Sequence, residues 1–235
     1  MLKKRLIACL LWNNGYIVQS IHFRHTNSVG NAITAVDFFH TWAIDEIIIL
    51  DVSRDESQRE KFFEIIQEFS SRLFIPLTVG GKIRDKETMK RLFRLGADKI
   101  CINTAAVKNP ELIQKAATMF GNQAVVVSID AKLNNGMYEV YINQGSESTG
   151  LDPMEWAKTA EQRGAGEIFL TSIDRDGSRK GYDLALTKSV SEAVSIPVIA
   201  SGGVGEWQHF VDGIVQGKAD AVCAANIFHY FEQST

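Results

Sequence analysis

Two glycine turns carry the most direct chemical signal in the sequence. Val79-Gly80-Gly81 and Ser201-Gly202-Gly203 each close a short apolar run, and the next run of each half ends in polar or small residues, at Asn103-Thr104 and at Ala225-Asn226. A phosphate group needs several N–H donors converging on one point, and glycine lets the backbone come close. One such turn alone reads as a tight strand end. Two copies at matching positions point to two phosphate seats at the C-terminal ends of strands, and so to a ligand with two phosphates. Lys82 follows the first turn where Gly203 stands in the second. Its ammonium would attract phosphate or simply fill the pocket.

Seats of this kind must be held by a repeating scaffold, and the chain supplies one. Apolar runs at 6–11, 47–50, 76–79, 100–102, 124–129, 168–171, 197–200 and 221–225 show no strict polar alternation, so each is expected to be a strand buried on both faces. Between them lie segments of helical period, such as Phe62, Ile66, Phe69 and Leu73. Asn109-Pro110 and Asp152-Pro153 each place a capping side chain before a proline, and Gly96 and Gly164 follow the ends of helical patterns. The motif Ile75-Pro76-Leu77-Thr78-Val79-Gly80-Gly81 returns as Ile196-Pro197-Val198-Ile199-Ala200-Ser201-Gly202, an offset of 121 residues that Glu46-Ile47 and Glu167-Ile168 share. The expectation is an α/β fold, a single (β/α)8 TIM barrel over residues 1–235 built from two duplicated half-barrels. The alternation alone also admits an open doubly wound sheet. Asn134-Asn135-Gly136 predicts a β-ribbon inserted after the fifth strand.

Composition narrows the class. The chain has 235 residues with 25 Lys+Arg against 28 Asp+Glu, a net charge of −3 without basic runs, which argues against nucleic acid or an anionic membrane as partner. No apolar run reaches the ~20 residues that span a bilayer, and Met1-Leu2-Lys3-Lys4-Arg5 opens no signal peptide. Cys9, Cys101 and Cys223 are an odd number, far apart and within apolar runs. They read as small buried residues in a reducing compartment, so a cytoplasmic protein with no metal and no cofactor is expected.

Long stretches resemble one family. Lys4-Arg5-Leu6-Ile7-Ala8-Cys9, the 96–107 segment beginning Gly96-Ala97-Asp98-Lys99, the 124–132 segment, Arg163-Gly164-Ala165-Gly166-Glu167, the 170–177 segment ending Asp174-Arg175-Asp176-Gly177, Gly181-Tyr182-Asp183 and Ile199-Ala200-Ser201-Gly202-Gly203 are similar to the HisF-type cyclase subunit of imidazole glycerol phosphate synthase. The resemblance runs from Met1 to about His229. It implies a barrel that receives ammonia from a glutaminase docked on its N-terminal face and uses it on a bisphosphorylated ribulosyl intermediate. It also implies phosphate contacts at Gly81, Asn103 and Thr104 in one half and at Asp176, Gly177, Gly203, Ala225 and Asn226 in the other. Asn226 stands where the family has serine. The family's ammonia gate maps onto Arg5, Glu46, Lys99 and Glu167, each just before an apolar run, with signs alternating plus, minus, plus, minus. Asp98 maps onto a glutaminase-docking position. A plain ion-pair network closing the barrel floor would look the same.

The family uses two carboxylates at the mouth, because one proton is removed and another given. Asp130 is the fifth-strand member. The first-strand position holds Leu11, and leucine transfers no proton, so cyclisation is expected to be impaired by a factor of about 10²–10⁴. Gln19 replaces a functional lysine, while His22 and His25 in the same loop read as exposed histidines. The short stretch after the eighth run leaves the last helix short or absent. This selective loss resembles paralogous copies of the family in surface-glycan gene sets, paired with a glutaminase and an N-acetyl sugar amidotransferase. Sequence alone therefore favours an ammonia relay for sugar amidation, in lipopolysaccharide or related synthesis. The alternative is the imidazole glycerol phosphate synthase cyclase itself. A related single-chain sugar isomerase fits poorly, since it needs a first-strand carboxylate and no charged gate.

Overall fold

A computed structural model describes residues 3–31, 44–225 and 227. Eight parallel strands form the barrel: β1 (Arg5–Asn13), β4 (Glu46–Asp51), β5 (Leu77–Gly80), β6 (Lys99–Ile102), β7 (Val125–Asn134), β10 (Glu167–Ser172), β11 (Val198–Ser201) and β12 (Ala221–Ala224). Each coincides with one of the eight expected runs. The ladders run in that order, and β12 pairs back onto β1 with Arg5 opposite Ala221. The sheet is therefore closed, which excludes the open doubly wound alternative.

The absence of polar alternation has a direct cause. Alternate residues of a strand face opposite sides, and here both sides are dry. Ala8, Leu10 and Trp12 of β1 join the outer cluster with Ile47, Ile49, Phe62 and Phe69, under the helices. Ile7 and Cys9 point the other way, into a lumen shared with Ile48, Cys101, Val126, Phe169, Ile199 and Cys223, and Leu11 packs against that cluster.

The helices are α1 (Arg59–Arg72), α2 (Lys86–Arg94), α3 (Thr104–Lys108), α4 (Glu111–Phe120), α5 (Pro153–Gln162), α6 (Leu184–Ala193) and α7 (Trp207–Val215). Phe62, Ile66 and Phe69 form the buried face of α1 as their spacing predicts. Asp152 caps α5, accepting from Met154 N–H and Glu155 N–H at 2.9 and 3.1 Å. The Asn109 expectation is corrected: α4 has no side-chain cap, and Leu112 N–H donates instead to the Asn109 carbonyl at 3.0 Å. Gly96 and Gly164, both at φ +99°, end α2 and α5 in the left-handed conformation that glycine tolerates. Residues 228–235, where the last helix was expected to be short or absent, lie outside the described residues.

Two antiparallel ribbons rise from the C-terminal rim. The expected one comprises the end of β7 with β8 (Met137–Ile142) and β9 (Glu147–Ser148), and Asn135 and Gly136, both at positive φ, form the turn between β7 and β8. A second comprises β2 (Tyr16–Ile21) and β3 (His25–Asn31), where sequence reasoning placed only a loop. Asn14-Gly15, again both at positive φ and the pair that two-residue hairpin turns favour, turns β1 into β2, and residues 22–24 form the tip between β2 and β3.

Candidate active site

The barrel floor is closed by four charges in a ring. Arg5 reaches Glu46 at 2.7 Å and Glu167 at 3.1 Å, and Lys99 reaches the same two carboxylates at 3.0 and 3.2 Å. Signs therefore alternate around the opening, as the sequence order predicts. Glu46 is 1% exposed and also accepts from Thr78 Oγ1 at 2.7 Å. Burial works against the charge on Arg5, but the attraction of Glu167 and Glu46 outweighs it, and the guanidinium pKa is raised.

Asp98 lies exposed beside this ring, and its Oδ2 accepts from Leu77 N–H at 2.8 Å. Asp220 does the same for Val198 at 3.3 Å, and Asp45 for Leu6 at 2.9 Å. Each carboxylate satisfies the amide at or next to the start of a barrel strand, so Asp98 has a structural task that needs no partner.

Above the ring the lumen is apolar, with the three buried free thiols of Cys9, Cys101 and Cys223 among its lining. Burial pushes the Cys101 thiol up, so it stays protonated.

At the mouth, Asp130 is buried in β7. It accepts from Asn103 Nδ2 at 2.9 Å and Ser128 Oγ at 3.3 Å. Burial pushes its carboxyl up to about 7, against the pull of both hydrogen bonds and with a smaller upward push from Asp176. A carboxyl poised there exchanges protons readily at neutral pH. Leu11 lies on the same lumen side, against the cluster that Leu50 also joins, where a second carboxyl would be needed to complete a pair.

The two glycine turns repeat in space as in sequence. Gly81 at φ +92° lies against the backbone of Asp51, and Gly202 at φ +92° against that of Ser172. Gly203 at φ +104° abuts the Gly181 carbonyl. Close backbone packing thus accounts for the glycines by itself. Thr104 Oγ1 accepts from Asn143 N–H at 3.0 Å, which ties the first turn's neighbour to the loop after β8. Ala225 packs against the lumen cluster, and Asn226 lies outside the described residues. Lys82, at φ +54°, folds toward the helices: its Nζ donates to Ser53 Oγ and the Asp55 carbonyl, each at 3.1 Å, and sits 3.8 Å from Asp51. It is held by the end of β4 and the loop that follows it.

Sequence reasoning missed what covers the loop after β10. The tip of the β2–β3 hairpin rests on the loop after β10: Asp176 accepts from Ser20 Oγ and from Phe23 N–H, and His22 N–H donates to the Asp176 carbonyl at 3.1 Å. A Cβ on Gly177 would meet Ser20 and Ile21. Burial raises the Asp176 carboxyl above its usual range, although these donors oppose it. The Asn14-Gly15 turn was the signal that could have revealed this ribbon. The side chain of His25 lies outside the description.

A closed eight-stranded parallel barrel with a charged floor, an apolar lumen and a protonatable carboxyl at its mouth is a (β/α)8 TIM barrel, a class that builds its sites at the C-terminal ends of the strands. The chain belongs to the family described as histidine biosynthesis protein, whose model matches residues 5–234. It is of the HisF type: it is 46% identical, over all 235 of its residues and 93% of the relative, to the imidazole glycerol phosphate synthase subunit HisF of Alkaliphilus metalliredigens (strain QYMF). No helix among the described residues is long and apolar enough to cross a membrane.

Proposed function

We propose that this chain is the ammonia-using cyclase subunit of an imidazole glycerol phosphate synthase, a single barrel domain working in the cytoplasm with a glutaminase docked on its floor. One observation carries the reading: a ring of alternating charges closes one end of an apolar lumen whose other end holds Asp130. Neutral ammonia crosses a dry lumen at little cost, whereas the ammonium ion does not. The glutaminase would sit over Asp98 and deliver ammonia to Arg5, Glu46, Lys99 and Glu167. At the mouth, a bisphosphorylated ribulosyl intermediate would span the two glycine turns. Gly81, Asn103 and Thr104 would serve one phosphate, and Asp176, Gly177, Gly203, Ala225 and Asn226 the other. Asp130 would exchange the proton as the ring closes and splits to imidazole glycerol phosphate and the aminoimidazole carboxamide ribotide.

The name of the HisF relative supports this reading over sugar amidation, for which neither the family nor the relative gives support; no sugar amidotransferase partner is proposed. Leu11 favours a second reading, a subunit that binds the glutaminase and relays ammonia while the acceptor reacts elsewhere. Supplying the ribulosyl substrate with ammonium salt separates the two. Product that disappears with Asp130→Asn supports the cyclase, and stimulation of the glutaminase without product supports the relay.

A further inference from the structure

The hairpin tip and the 173–181 loop form an open cleft of about 530 Å³ lined by His22, Asp174, Arg175, Ser178 and Lys180. None of these side chains has a part in the seats or the proton transfer described above. The charges here are unequal. Arg175 and Lys180 bring two cations, and the carboxylate of Asp174 already accepts from Leu133 N–H at 2.9 Å. Arg175 Nη1 donates to the Lys180 carbonyl at 3.2 Å, which closes the loop on itself and leaves the guanidinium's other N–H groups for a ligand.

His22 adds a conditional donor. Its Nδ1 lies 3.2 Å from the Ile173 carbonyl. A carbonyl only accepts, so Nδ1 carries the proton and Nε2 can donate only in the imidazolium form. The tip that presents this ring is costly to build: His22 and Phe23 stand at φ +50° and +58°, successive left-handed residues without glycine. Their backbone N–H groups are spent on Asp176.

We propose that this cleft is a site for a tetrahedral oxyanion, a phosphate-type group that is free or carried on a small ester, distinct from the glycine turns. Its walls come from the hairpin and from the barrel loop, so an occupant favours the docked hairpin. Arg175 and Lys180 supply the standing attraction, Ser178 a hydroxyl donor, and the His22 ring closes the site from the hairpin side. Besides these cations, the titratable groups facing His22 are Asp174 and Asp176.

The test is an NMR titration of the full chain with sulfate, dianionic throughout, and in a parallel arm with glycerol phosphate. It follows the His22 ring and the amides of Ser178, Gly177 and Gly203. A saturable His22 shift is expected, weakened about tenfold or more in the Arg175→Gln/Lys180→Gln double variant. The tighter of the two probes identifies the free or the esterified group as the occupant. A His22 ring that stays still while Gly177 and Gly203 respond overturns the proposal, as does a response unchanged in the double variant. The readout is binding, so it stands or falls independently of the cyclase reading.

Discussion

Asn103 Nδ2 donates to Asp130 Oδ2 at 2.9 Å, joining the end of β6 to the neighbouring strand β7 at the barrel mouth. A hydrogen bond to a carboxylate favours its charged form. Burial nevertheless wins and holds Asp130 near 7. Asn103→Ala removes the donor, so the Asp130 pKa is expected to climb further, seen in the pH dependence of its carboxyl carbon resonance. A fall would show that Asn103 does not act as a donor to this group.

The same carboxyl leaves a mark on stability. Its folded pKa of about 7 lies above the value of about 3.9 expected in the unfolded chain, so the folded state binds more protons between the two. The contribution is therefore complete below about pH 4 and is lost as pH rises through about 7, at roughly 1.4 kcal/mol per pH unit within that window. Urea unfolding of the natural chain and of Asp130→Asn should diverge with that sign, the variant being less dependent on pH. An equal slope in both would refute the assignment.

The floor ring concentrates its risk on Glu46, the most buried member. Glu46→Gln keeps an acceptor for Thr78 but leaves Arg5 and Lys99 sharing Glu167 alone. Because both cations retain some contact with water, the expected loss is about 1–3 kcal/mol in chemical unfolding, below the range for a fully buried pair.

Glycine has different meanings at different turns. Gly203→Ala puts a methyl group onto the Gly181 carbonyl at φ +104°, whereas Gly136→Ala at φ +82° meets open space. The first is expected to cost clearly more than the second, which should lose about 1 kcal/mol from backbone strain alone. Thermal unfolding of the two variants checks the order.

The fold was legible because its signal is repetitive. Eight runs buried on both faces, with the offset of 121 residues linking Gly81 to Gly202, leave little choice of architecture. The floor was legible for a related reason, since each charge opens an apolar strand and the barrel brings those strand starts together. The mouth was less so. That Asn103 bonds Asp130, or that Ser20 and Phe23 cover Asp176, depends on contacts between residues 27 and about 150 positions apart, and no local pattern encodes them. Asn109 failed as a cap because a backbone carbonyl took over the bond its side chain was expected to make.

Turnover of the ribulosyl bisphosphate substrate with ammonium salt, measured for the natural chain, Asp130→Asn and Leu11→Asp, bears most directly on the proposed activity. The account expects slow formation of imidazole glycerol phosphate, its loss by a factor of about 10² or more in Asp130→Asn, and a gain of similar size in Leu11→Asp. No product from the natural chain or from Leu11→Asp, or turnover indifferent to Asp130, would contradict it.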